Sequence, residues 1–204
     1  MTSALLTEPR PEKWYRGIVR GKTRIALAWI FAAALVLSAR DYPKPPGILL
    51  CFAGATLRYW ASGYLRKDTR PAAGGPYAHV RNPLYLGTYL MAVGTAWSIQ
   101  NWWLLALVTI LFAGIYHFII LDEEIKLRAI FGEPYRLYCS IVPRFFPRPL
   151  PASSEILSRV NPEVSHRVFS RELAAKNKAY ESYLTFAALI GFVAAVAFGW
   201  KSFR

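Results

Sequence analysis

The sequence predicts an all-α integral membrane protein with about five transmembrane helices, and three observations predict it. Of its 204 residues 54% are apolar and 15% aromatic, while only 18% are charged, against about 25% charged in an ordinary globular chain. Five stretches approach the roughly 17 to 25 apolar residues that a helix needs to cross a bilayer core. The basic residues gather in alternate connections, twenty on one side of the implied topology and four on the other, the asymmetry of loops that stay in the cytoplasm. Disorder is excluded, because seven Trp, twelve Tyr and twelve Phe are not left in water. Cys51 and Cys139 lie far apart and without CxxC spacing, so neither a disulfide framework nor a metal site is read from them.

The first span, residues 25–39, is short, and Arg24 and Arg40 bracket it with stems that reach back to the headgroups. Three prolines between Asp41 and Gly47 turn the chain, since they cannot continue a helix. A second span, 48–65, carries Arg58 inside an apolar run. Only Gln100 and Asn101 separate a third span, 84–99, from a fourth, 102–121, which makes these two an antiparallel hairpin. The last, 183–200, is uncharged and ends in an aromatic beside Lys201, as an interfacial anchor does. The first apolar run lacks the small-residue cleavage site of a secretory signal.

Organisation follows from these spans: two N-terminal helices in residues 1–65, a core with the hairpin in 66–148, and a tail in 149–204. In the tail, Leu157, Val160, Val164 and Val168 recur among Arg159, Arg167 and Arg171, the pattern of helices lying at a membrane interface. Such a segment either roofs a pocket or tethers the last span. Positive-inside orientation puts the N-terminus, 66–81 and 122–180 in the cytoplasm. The net charge of +13 is then topological, and no nucleic-acid partner is expected, because no reader motif accompanies it.

Two polar clusters flank the hairpin. One runs from Gly74 to Gly87 and combines His79, Arg81, Tyr77 and Tyr85 with an Asn82-Pro83 helix start. The other begins with Asp122, Glu123 and Glu124, three carboxylates whose place at a helix C-terminal end opposes the dipole. If the helix continues, Glu124 shares a face with His117 and Glu123 points elsewhere. Pairing with Lys126 or Arg128 is the plain reading of the carboxylates, and a core histidine bonded to a carbonyl that of His117. Hairpin geometry brings Arg81 close to Glu124, and a guanidinium and a carboxylate in one pocket suit a zwitterion.

These residues resemble a known family. Gly75-Pro-Tyr-x-x-Val-Arg-Asn-Pro-x-Tyr-x-Gly87, then Glu123-Glu-x-x-Leu-x-x-x-Phe-Gly-x-x-Tyr-x-x-Tyr138, then Val142-Pro-x-x-x-Pro147 resemble the isoprenylcysteine carboxyl methyltransferase family, which is related to membrane phospholipid methyltransferases. The resemblance implies an integral membrane methyltransferase using S-adenosylmethionine, consistent with the lack of a GxGxxG after any strand. By motif it puts Tyr77, His79, Arg81, Asn82, Pro83, Tyr85 and Gly87 on one wall of the cofactor pocket and Glu123, Glu124, Tyr135 and Tyr138 on the other. Many relatives have His where this chain has Asn82, and Asn does not titrate near neutral pH.

Aromatic faces suit the sulfonium cation, and the protein's main task is alignment of the reacting atoms. Arg144 is the candidate to orient an anionic acceptor, with Arg58 its rival and a headgroup contact as the plainer role for Arg144. The partners expected are membrane lipids and a lipophilic methyl acceptor entering from the inner leaflet, a carboxylate or an amine. The other readings are an NADPH-dependent reductase of the sterol type, against which the spacing after Glu124 argues, and a non-catalytic membrane protein of the same fold.

Overall fold

The computed structural model describes residues 21–66, 70–164 and 168–202, with backbone alone for 21–28. Residues 1–20, Lys67, Arg167 and Arg204, which contribute to the orientation reading, lie outside the described residues. Among the described residues the secondary structure is entirely helical: α1 Gly21–Ser38, α2 Pro45–Ser62, a 3-10 turn Gly75–Ala78, α3 Pro83–Ser98, α4 Trp102–Phe131, α5 Glu133–Ile141, α6 Ser154–Val160, α7 Arg171–Lys176 and α8 Glu181–Ser202.

Local chemistry sets these boundaries. Prolines open α2 and α3, where a missing amide proton costs nothing. Asn101 caps α4 by accepting from the Leu104 amide at 2.9 Å. Gly132, at φ 60°, ends α4.

The closest helix pair is α2 with α3, joined along a seam of small residues. Gly47 and Gly54 on α2 meet Gly94 and Gly87 on α3. A Cβ on Gly47 would stand 2.2 Å from the Ser98 nitrogen, one on Gly54 2.6 Å from the Gly87 oxygen, and one on Gly94 2.4 Å from the Cys51 nitrogen. Spacing of seven keeps each pair on one face. Small residues at the contact let the two helix backbones approach this closely. Gly87, expected in the cofactor wall, is in this seam instead, because a Cβ there would stand 2.6 Å from the Arg58 Cγ.

Helix α8 packs on α2 through Phe52 with Tyr183 and Phe186, ring centroids 5.8 and 5.5 Å apart. Its far end is clasped to that of α1. Trp200 Nε1 donates to the Val36 carbonyl at 3.0 Å, Arg40 lies over the Trp200 ring, and Lys201 pairs with Asp41 at 3.0 Å. The Lys44 amide donates to the Ser98 carbonyl at 2.8 Å, which brings the start of α2 to the end of α3.

Two helices among the described residues, α4 and α8, are long and apolar enough to cross a membrane. Their apolar windows are only 28% and 17% buried, far from the sheltered state of a core helix in a water-soluble protein. The described apolar stretch of α1, Trp29–Ser38, is shorter.

Three expectations are revised. Helix α4 runs ten residues past its apolar stretch to Phe131, so the carboxylates lie inside it and the dipole objection lapses. His117 is exposed rather than a core residue. Leu157, Val160 and Val164 turn inward, at 2%, 2% and 8% exposure, onto Ala73, Ala78, Tyr135 and Tyr138, while Val168 alone is 81% exposed. The segment 152–164 is thus a brace for the 3-10 turn and α5, not a lipid tether. Fully buried Asn161 donates to the Pro71 carbonyl at 3.0 Å. Asn177 Nδ2 donates to the carbonyls of Ser62 and Leu65 at 2.9 and 2.7 Å at the end of α2.

Candidate functional site

The run from Ala78 to Asn82 is held by the chain that follows α5. The Arg81 amide donates to the Pro143 carbonyl at 2.9 Å, and Asn82 Nδ2 to the Arg144 carbonyl at 3.0 Å. The Ala152 amide donates to Ala78 at 2.9 Å. These bonds satisfy the backbone of an irregular segment and leave several of its side chains facing a cavity.

That cavity, about 610 Å³, opens between the end of α2, the start of α3 and the last turns of α4. Tyr77, Arg81, Asn82, Pro83, Tyr85, Glu123, Tyr135 and Tyr138 line it, as does Arg58. The Arg58 Nη1 donates to the Thr88 hydroxyl at 2.5 Å and the Leu84 carbonyl at 3.2 Å. Exposed Arg66 and Arg70 reach its walls too, together with Leu127 and Phe131. None of these four was foreseen. For Leu127 and Phe131 the signal was present: they stand four and eight residues after Glu123, on the face that the continuing helix gives that carboxylate.

His79 does not reach the cavity. Its Nδ1 lies 2.9 Å from the Arg148 carbonyl, and its own carbonyl accepts the Arg148 amide at 3.0 Å, so the ring serves the loop pairing.

The motif puts both glutamates on the wall, with Glu124 as the partner of Arg81; of the two only Glu123 lines the cavity. Glu123 is in the cavity wall, where its Oε2 accepts the Tyr85 hydroxyl at 2.6 Å. Glu124 is 2% exposed and lies beneath, between two arginines. Its Oε1 is 3.2 Å from Arg81 Nη2, and its Oε2 accepts from Arg144 Nη2 at 2.9 Å, with Arg144 Nε at 3.2 Å from both oxygens. Arg81 Nη1 donates to the Cys139 carbonyl at 3.0 Å, while its Nε is buried without a partner.

The phenols here stay protonated. Burial pushes the hydroxyls of Tyr77, Tyr135 and Tyr138 above the ordinary tyrosine range, and the carboxylate of Glu123 adds to the rise at Tyr77. Tyr138 uses its proton to donate to the Tyr77 carbonyl at 2.7 Å.

On the other side of the hairpin is an apolar groove of about 300 Å³, lined by Tyr89, Phe112, Tyr116, His117, Ile120, Arg144, Phe145 and Phe146. Phe112 and Tyr116, stacked at 3.8 Å, also line a further apolar hollow that reaches Phe31 on α1. Tyr85 meets Tyr116 edge to face at 5.6 Å, so one aromatic pair stands between cavity and groove. No group of three His, Cys, Asp or Glu gathers as metal ligands among the described residues.

Known proteins resemble this part of the sequence. The phospholipid methyltransferase family model matches residues 52–134, from within α2 to the start of α5. The nickel-cobalt-cadmium resistance protein NccN of Alcaligenes xylosoxydans xylosoxydans is 29% identical over 133 residues, 64% of this chain and 58% of the relative. The cobalt-zinc-cadmium resistance protein CzcN of Cupriavidus metallidurans is 28% identical over 137 residues, 63% of each chain. The protein-S-isoprenylcysteine O-methyltransferase of Schizosaccharomyces pombe is 30% identical over 95 residues, 47% of this chain and 40% of that one. The chain spans less than two thirds of the length of each of these relatives. No solved structure matches it. The resemblance read from the motifs is upheld: the centre of the chain is similar to the phospholipid methyltransferase family, and part of it to an isoprenylcysteine O-methyltransferase.

Proposed function

We propose that this protein is an integral membrane methyltransferase that uses S-adenosylmethionine and methylates a lipophilic acceptor arriving from the inner leaflet. The observation that carries this reading is the pair of hollows at one end of the α3–α4 hairpin, one lined by charged groups and tyrosines and the other apolar. A water-borne donor and a lipid-borne acceptor call for two such entrances.

The cavity fits the cofactor. At about 610 Å³ it is within the usual range of about 300 to 1,000 Å³ for small-molecule sites. Arg81, in the cavity wall, suits a carboxylate, and Glu123, an acceptor when ionised, suits an ammonium or ribose hydroxyls. Tyrosine faces suit the sulfonium. When bound, the cofactor supplies an already activated methyl group. The side chains orient it and keep water out, and the protonated phenols donate hydrogen bonds rather than acting as bases. Arg144, in the groove wall with its side chain 33% exposed, is placed to draw in an acceptor head while the tail lies along Phe112 and Tyr116. Arg58 faces the cofactor side.

In this reading α1, α2 and α3 also cross the bilayer, giving five spans with the N-terminus and the site in the cytoplasm. The clasp of α1 to α8 at one end of the molecule agrees with helices of alternating direction. Arg58, held by Thr88 and the Leu84 carbonyl, is the paired interior charge such a span tolerates.

The test is ligand-dependent thermal stability of the purified protein in detergent. S-adenosylmethionine or S-adenosylhomocysteine should stabilise it and NADPH should not. Stabilisation by NADPH alone would replace this reading with a reductase, and stabilisation by none of the three would remove the enzyme altogether.

A further inference from the structure

We infer that Glu124 is a positioning residue shared by the two hollows, holding one arginine at the cofactor cavity and one at the acceptor groove so that what happens to either arginine is felt by the other. This rests on the cofactor assignment proposed above.

The geometry is specific. Arg81 lines the cavity and not the groove, Arg144 lines the groove and not the cavity, and Glu124 lines neither. One carboxylate, 2% exposed, serves both guanidinium groups, at 3.2 Å to Arg81 and 2.9 Å to Arg144. Two cations face one buried anion, and the charges do not balance. At such short range and with little screening, the arginines compete for the same two oxygens. Arg144 has the larger share, touching both oxygens through Nε and Nη2. Arg81, which lines the cavity, reaches the carboxylate through Nη2 alone and keeps a buried Nε with no hydrogen-bond partner.

Removal of Arg144 gives Glu124 wholly to Arg81. The Arg81 guanidinium is then drawn down towards the carboxylate and offers less to an anion above it, so cofactor affinity falls although Arg144 never touches the cofactor. An anion settling on Arg144 from the groove has the same effect, which couples acceptor binding to cofactor binding through a single side chain. The Arg144 carbonyl, which holds Asn82, belongs to the backbone and survives any side-chain substitution.

The test measures S-adenosylhomocysteine affinity of the full chain in detergent for wild type, Arg144→Ala, Arg144→Lys, Glu124→Gln and the Arg144→Ala, Glu124→Gln double variant. Arg144→Ala should bind about five- to tenfold more weakly, Arg144→Lys should recover part of that loss, and the double variant should bind no more weakly than Glu124→Gln alone, as contacting residues do. Arg148→Ala controls for mere loosening of the loop, since the Arg148 side chain ties that loop to the end of α5, its Nη1 donating to the Ile141 carbonyl at 3.2 Å. Arg144→Ala within twofold of wild type overturns the inference. So does strict additivity in the double variant, or an equal loss in Arg148→Ala. If the Glu124→Gln proteins do not fold, the comparison of Arg144→Ala, Arg144→Lys and Arg148→Ala decides alone. A wild-type protein that does not bind S-adenosylhomocysteine sinks the cofactor assignment as well, whereas wild-type binding with an unaffected Arg144→Ala sinks only the sharing of Glu124.

Discussion

The Tyr85 hydroxyl donates to the Glu123 carboxylate at 2.6 Å, tying the first turn of α3 to α4 at the wall of the cavity. The bond is charge-assisted, shorter and stronger than one between neutral groups. It fixes one carboxylate oxygen and leaves the other to a ligand.

Glu123→Gln is therefore expected to weaken S-adenosylhomocysteine binding by roughly ten- to a hundredfold, the scale of a lost hydrogen bond to a charged group, and Tyr85→Phe by less. The sequence pattern alone ranks Glu123 as the minor partner. Titration calorimetry on the detergent-purified variants checks the order, and an unchanged affinity in Glu123→Gln removes that carboxylate from the site.

The α2–α3 seam should be intolerant of side chains. Gly94→Val would put a branched group where even a Cβ lies 2.4 Å from the Cys51 backbone nitrogen, so the helices must part and the variant should not elute as a monodisperse species. Gly191→Ala in α8 meets nothing within 4 Å and should be neutral or up to about 1 kcal/mol stabilising, as alanine is favoured over glycine inside a helix. Size-exclusion profiles and thermal melts of the two proteins separate the cases.

Tyr138→Phe deletes the hydroxyl that the Tyr77 carbonyl accepts at 2.7 Å. It leaves a buried carbonyl short of its donor, at a cost of about 1 to 3 kcal/mol. The melting temperature should drop, and cofactor affinity should drop with it because Tyr77 loosens.

Alkaline pH provides a further check. The native phenols of Tyr77, Tyr135 and Tyr138 ionise above the ordinary tyrosine value of 10.0 because burial disfavours the phenolate. In the unfolded chain they ionise near that value. The unfolded state thus loses protons first, and the stability these groups contribute is intact below pH 10 and declines as pH rises above it. Absorbance titration at 295 nm should show a late-ionising group of tyrosines. Cofactor affinity should not change between pH 7 and 9 through these residues.

The proposed orientation is checked with Cys139, which is partly exposed on α5, and Cys51, which is fully buried. A membrane-impermeant thiol reagent should label Cys139 only after cells are permeabilised. Labelling from outside intact cells would invert the topology.

Much of the architecture was legible in the chain, and the reasons are local. Two polar residues between apolar runs force a hairpin, and the hairpin brings Arg81 to Glu124. What was not legible depended on where α4 ends. Sequence hydropathy stops it near Leu121, but the helix continues to Phe131, and ten further residues decide which glutamate faces the cavity. Gly87 and His79 belong to motifs whose neighbours line the site, yet a motif does not say which members point inward. Gly87 serves the contact of two backbones, and His79 pairs with a loop almost seventy residues away.

The length of α4 works as a depth gauge. Thirty residues rise about 45 Å, against a hydrocarbon layer about 30 Å thick. With Trp102 at the far interface the hydrocarbon ends near Leu121, so Glu123 and Glu124 emerge among the headgroups while Tyr116 and His117 stay one to two turns deeper. On the proposed function the helix thereby sets the height at which a molecule from water meets one held in lipid. One residue inserted between His117 and Glu123 would lift the carboxylates only about 1.5 Å but swing them about 100° off the cavity. Seven inserted residues would restore the facing and leave the carboxylates roughly 10 Å too high, so angle and height together admit a single spacing.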